Sequence, residues 1–321
     1  MPAAKSSLVH PRFKREYRVT NWREYERGLR ARGDVTVWFS RDAIANWLSK
    51  STRGPGGPRI YSDLAIETSL TLRSVFGLPL RQTEGFVGSM LGLLGHDNLP
   101  VPDHTTLSRR AQSLDATMKG RPRSGRPMHL IVDSSGLQIA GQGPWSAAKH
   151  GTRGTREWRK LHIGVDESGF VVAHELTESG VDDAGIVPDL LDQVSDEVER
   201  FTADGAYDKT AVYDAVAKLG AKIVIPPVKG ARVSKDATPG ARARNETVEA
   251  VDDLGRREWR KQAGYHQQAR VENAFFRYKQ VIGGRLRSRR LNGQRSEVRI
   301  AIKILNRMLE LGAPRSEPMR N

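Results

Sequence analysis

From residue 128 onward the chain presents an order of strand and helix patterns that few folds can accommodate. Met128-His129-Leu130-Ile131-Val132 is a short apolar run of the kind that forms a buried strand, and it ends on Asp133-Ser134-Ser135-Gly136. Trp158 to Asp166 and Phe170 to Leu176 flank Glu167-Ser168-Gly169, a hairpin signature, so three antiparallel strands open this half of the chain. A helix follows over Ala184 to Val198, and Phe201-Thr202-Ala203 then forms a strand that leads into Asp204. Asp208 is suited to cap the next helix, which runs to Leu219 and stops at Gly220. Ala221 to Ile225 read as a last strand ended by Pro226-Pro227, and residues 229–246 read as a flexible basic loop. The series predicts an α/β domain with one acid, Asp133 or Asp204, at the end of each of two strands.

The late helix, Gln268 to Lys279, carries a third acid. Val271, Ala274, Phe275, Tyr278 and Ile282 recur at three- and four-residue steps and predict the buried stripe. Tyr265, Gln268, Glu272, Phe276 and Lys279 form a second stripe beside it, because residues three, four and seven apart stack on one helix face. Glu272 therefore sits at the border of the core. Taken alone it is a Glu salt-bridging to Arg270 or Lys279, and only the two other acids give it a different meaning.

Before residue 128 the grammar is helical. Trp22 to Gly33 predicts a helix, Val35-Thr36-Val37-Trp38-Phe39 a short strand by β-branched and aromatic content, and Ser40 a cap for a helix through Leu48. The aromatic residues of this segment are expected to fill a small core rather than to stack on bases. Residues 51–59 are a Gly/Pro linker, and residues 62–118 carry helical periodicity. Within them Asp103-His104-Thr105-Thr106-Leu107-Ser108-Arg109-Arg110 predicts a capped helix after a turn, presenting Thr105, Thr106, Arg109 and Arg110 as a recognition helix would to a DNA groove. An ordinary helical hairpin with solvated arginines fits the same pattern.

Composition narrows the function classes. A length of 321 residues and 38% hydrophobic content are enough for a packed core, and no run approaches the roughly 20 apolar residues that span a bilayer. With no cysteine, disulfides, thiolate zinc sites and a thiol nucleophile are excluded, so any metal must be held by carboxylate, imidazole or water. A formal charge of +15 points to a polyanionic partner. An N-terminus without a signal-type apolar stretch predicts a cytoplasmic protein.

The order of elements resembles a ribonuclease H-like α/β domain, and Asp133, Asp204 and Glu272 resemble the acidic triad of the DDE transposases of bacterial insertion sequences. Asp204-Gly205-Ala206-Tyr207 is similar to that group's second acidic motif, and Tyr265, Glu272 and Lys279 fall on its tyrosine, glutamate and lysine signature. The signature's arginine is Gln268 here, with Arg270 two residues before the glutamate instead. The chain is similar to the insertion sequence five family in particular, whose helical N-terminal region also resembles residues 62–118.

Composition divides the chain into a basic aromatic region over 1–50, a linker over 51–59, a basic linker over 119–127 and a tail over 313–321, and the resemblance implies a helix-turn-helix-like DNA-binding region over 60–118 and a catalytic domain over 128–312. It also implies that Asp133, Asp204 and Glu272 are catalytic and hold two Mg2+ ions, with Mn2+ able to substitute. Arg159, Lys160, Tyr265, Arg270 and Lys279 would join the recognition helix in contacting DNA. The substrates would be double-stranded terminal inverted repeats and target DNA, acted on by at least a homodimer. Physical chemistry agrees on the metal, since three crowded carboxylates raise one another's pKa unless a cation offsets them. A non-catalytic DNA-binding relative and a ribonuclease H-like nuclease are the alternatives.

Overall fold

In the computed structural model, which describes residues 17–50, 59–114, 127–140 and 158–319, local side-chain chemistry starts the N-terminal helices. Helices α1 (Trp22–Ala31), α2 (Val35–Trp38), α3 (Arg41–Ala45), α4 (Asp63–Val75), α5 (Leu80–Leu93) and α6 (His104–Arg110) follow in order. Asp34, Ser40, Ser62 and Asp103 each accept from a backbone N–H of the first turn of α2, α3, α4 and α6. The predicted strand Val35–Phe39 is therefore a helical turn. Asp34 takes the Thr36 amide at 2.9 Å and its hydroxyl at 2.7 Å, a local bond that outweighs β propensity. Trp38, Phe39 and Trp47 are buried in a shared core, as expected, whereas Tyr17 and Trp22 are more than half exposed. The two predicted linkers lie outside the described residues apart from Arg59 and Pro127.

Strand β1 (Tyr17–Val19) pairs antiparallel with β8 (Ser316–Pro318) near the other end of the chain. Between them, β2 (Met128–Ile139), β3 (Trp158–Val165), β4 (Val171–Glu178), β5 (Val198–Thr202) and β6 (Lys222–Val224) form one sheet in the order β4-β3-β2-β5-β6. β2, β3 and β4 are antiparallel, and β5 and β6 run parallel to β2. Short β7 (Arg285–Leu286) joins the far end of β2. This is a ribonuclease H-like α/β sheet.

Helices α7 (Val187–Leu191), α8 (Thr210–Ala217), α9 (Pro239–Leu254), α10 (Arg256–Gln262), α11 (Ala269–Val281) and α12 (Leu291–Leu311) complete the chain. Leu130 and Val132 of β2 point into a core that α7 and α8 cover, while Ile131 and Leu137 point into a second core under α11 and α12. The two-residue alternation of a strand thus assigns every β2 side chain to a face.

Four predicted features differ. β2 does not stop at Asp133 but runs to Ile139, because β3 pairs with it continuously from Ile131 to Gln138. The helix predicted over Ala184 to Val198 is a 3-10 turn, Ala184–Ile186, followed by the five residues of α7; Val198 is extended because it pairs with Met128. Asp208 does not cap α8. Its buried carboxylate accepts the Val228 amide at 2.8 Å and a two-pronged Arg244 guanidinium at 2.7 and 3.1 Å. The second half of the predicted basic loop is the start of α9, capped by Thr238, with Gly240 pressed so closely on α8 that a Cβ there would lie 2.3 Å from the Asp214 nitrogen.

The N-terminal helices do not stand apart. Ile300, Ile304 and Met308 on one side of α12 are buried among α2, α4, α5 and α6, while Val298, Ala301, Ile302 and Leu305 of the same helix belong to the sheet core. Each large apolar side chain buried there contributes on the order of 1.5–3 kcal/mol, so the helical region and the sheet stabilise each other through α12.

Candidate active site

β2 makes a gap on one flank. It pairs with β5 from Met128 to Ile131 and with β7 only at Gln138 and Ile139, so among the described residues no strand covers that flank between. Asp133 lies in this interval, on the same alternating face as Ile131 and Leu137, which is the face that α11 covers.

Two bonds fasten α11 and the turn before it to this part of β2. Gln268 is 4% exposed and donates Nε2 to the Val132 carbonyl at 3.1 Å, at the peptide that precedes Asp133. Lys279 donates Nζ to Ser135 Oγ at 2.6 Å. Glu272 lies between them on the same stripe, one turn after Gln268, and its side chain is exposed. Asp204 follows β5 and caps the turn Gly205–Tyr207, accepting the Ala206 amide at 2.9 Å. The predicted single helix from Gln268 is a 3-10 turn, Tyr265–Gln268, that passes into α11.

The electrostatics report the proximity. Burial, foremost, raises the Asp133 carboxyl from its ordinary 3.8 to about 6; the Ser134 amide, 2.7 Å away, opposes this, and the charges of Asp204, Glu272 and Asp183 add to it. Burial and the Asp204 carboxylate also lift Tyr265 to about 12, against the Arg260 guanidinium 5.2 Å over its ring. The native state thus binds the Asp133 proton more tightly than the unfolded chain. The associated stability is complete below pH 3.8 and is lost as the pH rises through about 6. In chelator, Asp133→Asn should therefore melt above wild type at neutral pH, with the gap closing below about pH 4. Melting curves across that range check this, and a constant gap would mean that the carboxylate is not desolvated.

Several predicted DNA contacts have protein partners instead. Arg110, expected to be exposed, is 9% exposed; it pins α6 to α4 through Asp63 at 2.5 Å and the Tyr61 carbonyl at 3.0 Å. Thr105 and Thr106 give their hydroxyls to Asp103, which those bonds hold well below the usual carboxylate range. Arg109 remains exposed on a helix of only seven residues. Arg159 donates to Gln294 at 3.0 Å, and Lys160 donates to the Val181 carbonyl at 2.8 Å and lies 3.3 Å from Asp183. Arg270 bonds Gln267 and the Glu167 carbonyl.

The sequence reading missed Asp183 and placed Tyr207 only within the motif that begins at Asp204. On the sheet face opposite Asp133, His162 stands across from Ser134, with its Nδ1 3.4 Å from Asp183, and the Tyr207 hydroxyl is buried, its pKa raised by burial and by the Asp183 charge. The Asp182-Asp183 pair was the available signal, obscured because a helix was predicted to begin next to it.

Among the described residues no group of three His, Asp or Glu side chains is spaced to hold a metal ion. The donor chemistry nonetheless fits a hard divalent cation. All three donors are carboxylates, their repulsion adds to the rise of Asp133, and Lys279 is engaged by Ser135.

Comparison with known proteins identifies the family. A Transposase DDE domain model matches residues 124–308, and a second model of the same description matches residues 30–142. The cryo-EM structure of a piggyBac transposase synaptic complex with hairpin DNA is similar over 85% of this chain and 73% of that one, at 12% identity and a TM-score of 0.40, too distant to bear on function. The match over residues 124–308 spans more than half of the chain and contains Asp133, Asp204 and Glu272: the protein belongs to the DDE transposase family, and it is a transposase.

Proposed function

We propose that this transposase, of insertion sequence five type, binds the terminal inverted repeats of its element, cuts the DNA at their ends and joins the freed 3′-hydroxyls to target DNA. What supports the reading is that Asp133 lies on the open flank of β2, that Asp204 follows β5 and Glu272 sits on the helix fastened beside it, and that the Asp204 and Glu272 charges add to burial in raising Asp133. Asp133, Asp204 and Glu272 would hold divalent metal, Mg2+ with Mn2+ able to substitute. Bound there, two such ions would supply Lewis-acid stabilisation of the attacking and leaving oxygens of a phosphodiester.

The chain's own residues do the rest. Gln268 fixes the backbone at Asp133 relative to the helix that carries Glu272. Lys279, held at Ser135, and Tyr265, half-buried beside the acids, hold the phosphate backbone in line with them. Because Tyr265 keeps its proton to about pH 12, it acts as a neutral hydrogen-bond donor to phosphate. Arg109 and the exposed edge of α6 contribute to reading the ends. Synapsis of two ends needs at least a dimer, working on the bacterial nucleoid in the cytoplasm; no helix among the described residues is long and apolar enough to cross a membrane.

The test is substrate choice. Duplex carrying the element's own ends should be nicked at the terminal phosphodiester in Mg2+, with no cutting in chelator and far slower cutting of an RNA–DNA hybrid of unrelated sequence. Preferential hydrolysis of the hybrid would make the protein a nuclease on the same fold.

A further inference from the structure

A cavity of about 310 Å³ opens where α4, α6 and the first turns of α12 meet. Its walls carry Arg73 from α4 and Arg287, Arg289 and Arg290 from the segment between β7 and α12. Four guanidiniums share the space with a single carboxylate, Glu297. That carboxylate is already engaged, accepting the Arg287 amide at 2.9 Å and the Ser288 amide at 2.9 Å, so it shapes the arginine segment more than it neutralises it.

Two of the arginines are anchored through one guanidinium nitrogen each. Arg287 donates Nη1 to the Leu78 carbonyl at 3.0 Å, and Arg290 donates Nη1 to Gln112 at 3.2 Å. Arg73, the least exposed of the four, has its Nε buried with no hydrogen-bond partner among the described residues. Burial pushes its pKa down and Glu297 pulls it back up, while the neighbouring Arg287 lowers it further. A buried donor left without a partner is costly, and like charges crowded around it add to that cost. Such a site is made favourable by an oxyanion, and planar guanidiniums match phosphate oxygens in pairs. Ser108 lines the same walls, while the Ser74 and Ser288 hydroxyls there donate to the Leu70 and Arg290 carbonyls.

The location selects the source of the phosphate. β7, which leads directly into Arg287, pairs with Gln138 and Ile139 of β2. Five residues of strand separate Gln138 from Asp133, roughly 16 Å at about 3.3 Å per residue, which is less than one turn of duplex DNA at about 34 Å. α6, the helix expected to meet DNA, gives Ser108 to the other wall. At about 310 Å³ the cavity is at the small end of ligand pockets, roughly 300–1,000 Å³, and suits one phosphodiester better than a heterocycle.

We infer that this cavity seats one backbone phosphate of the bound DNA, within a helical turn of the bond that is cut, with Arg73, Arg287, Arg289 and Arg290 as its ligands. The inference rests on the reading of the chain as an end-cutting transposase centred on Asp133. It adds a contact that locks the duplex to the junction of the helical region with the sheet, so that both parts hold one DNA segment.

The experiment uses the full chain, the duplex end and a chelator, so that binding is read without cutting. Affinity is measured over a salt series for wild type, for Arg289→Ala/Arg290→Ala and for Arg73→Gln, with thermal melting to establish folding. The exposed double variant keeps the test decisive if Arg73→Gln fails to fold. Loss of one phosphate should make the slope of log affinity against log salt shallower by about 0.9 and weaken binding about tenfold. A methylphosphonate walked along the end should find one position that costs the wild type about tenfold and costs the double variant nothing. A folded double variant with an unchanged slope overturns the inference, as does a methylphosphonate penalty equal in both proteins. Inorganic phosphate that raises the wild-type melting temperature while the DNA slope stays fixed also overturns it, by making the cavity a small-anion site. If Asp133→Asn still cuts in Mg2+, the catalytic reading fails, and the binding series in chelator still decides the cavity.

Discussion

Asp133→Asn is expected to abolish strand cleavage and joining while leaving DNA binding intact. The substitution preserves the shape of the side chain and the Oδ1 that accepts the Ser134 amide, so β2 and its partner β3 should not move. It removes the negative charge of a carboxylate whose pKa burial raises to about 6. Losing a partner one shell out from a metal typically costs 10–100-fold, so losing an anionic ligand itself should cost about 10³-fold or more in cleavage rate. Binding in chelator should hold level or rise slightly, because one fewer negative charge faces the phosphates. Paired measurements of end binding and Mg2+-dependent cleavage for wild type, Asp133→Asn, Asp204→Asn and Glu272→Gln decide the matter. Near wild-type cutting by any one of the three variants would make that residue structural and remove it from the proposed triad.

Gln268→Leu should cost about 100-fold in cleavage with a modest loss of stability. Gln268 is buried, and its amide joins the turn before α11 to the Val132 carbonyl, next to Asp133. Leucine keeps most of the volume and leaves that carbonyl unpaired, a cost of about 1–3 kcal/mol. The same change frees α11 to shift against β2, and a displacement near 1 Å between reacting groups can cost about 10² in rate. A merely structural role would lower the melting temperature and leave the cleavage rate of the folded protein unchanged. Cleavage measured well below the melting transition separates the two, and a wild-type rate there would end the positioning role.

Gln268 also illustrates how far the sequence carries. Its place on the stripe with Glu272 and Lys279 follows from helical spacing alone, and so does the buried stripe Val271, Ala274, Phe275 and Tyr278, all of them buried. What Gln268 does there was not legible, because its partner is a carbonyl 136 positions earlier in the chain. Arg110 fails for the same reason: its sequence neighbours make it look solvated, while Asp63 and the Tyr61 carbonyl, both far away in sequence, bury it.

By itself the sequence determined the quantities that depend on neighbours a few residues apart. These are the succession of the sheet strands along the chain, the apolar run that opens β2, the caps at Ser40 and Asp103, and the buried stripe of α11. Tertiary structure alone decided the rest. β2 extends past Asp133 because β3 pairs with it, α12 is shared by two cores, Asp183 and Tyr207 meet behind the acids, and four arginines from distant segments line one cavity. The physical reason is one of range. Propensity, capping and periodicity act within a turn or a strand, whereas pairing, burial and charge crowding depend on groups that only the folded chain brings within a few ångströms.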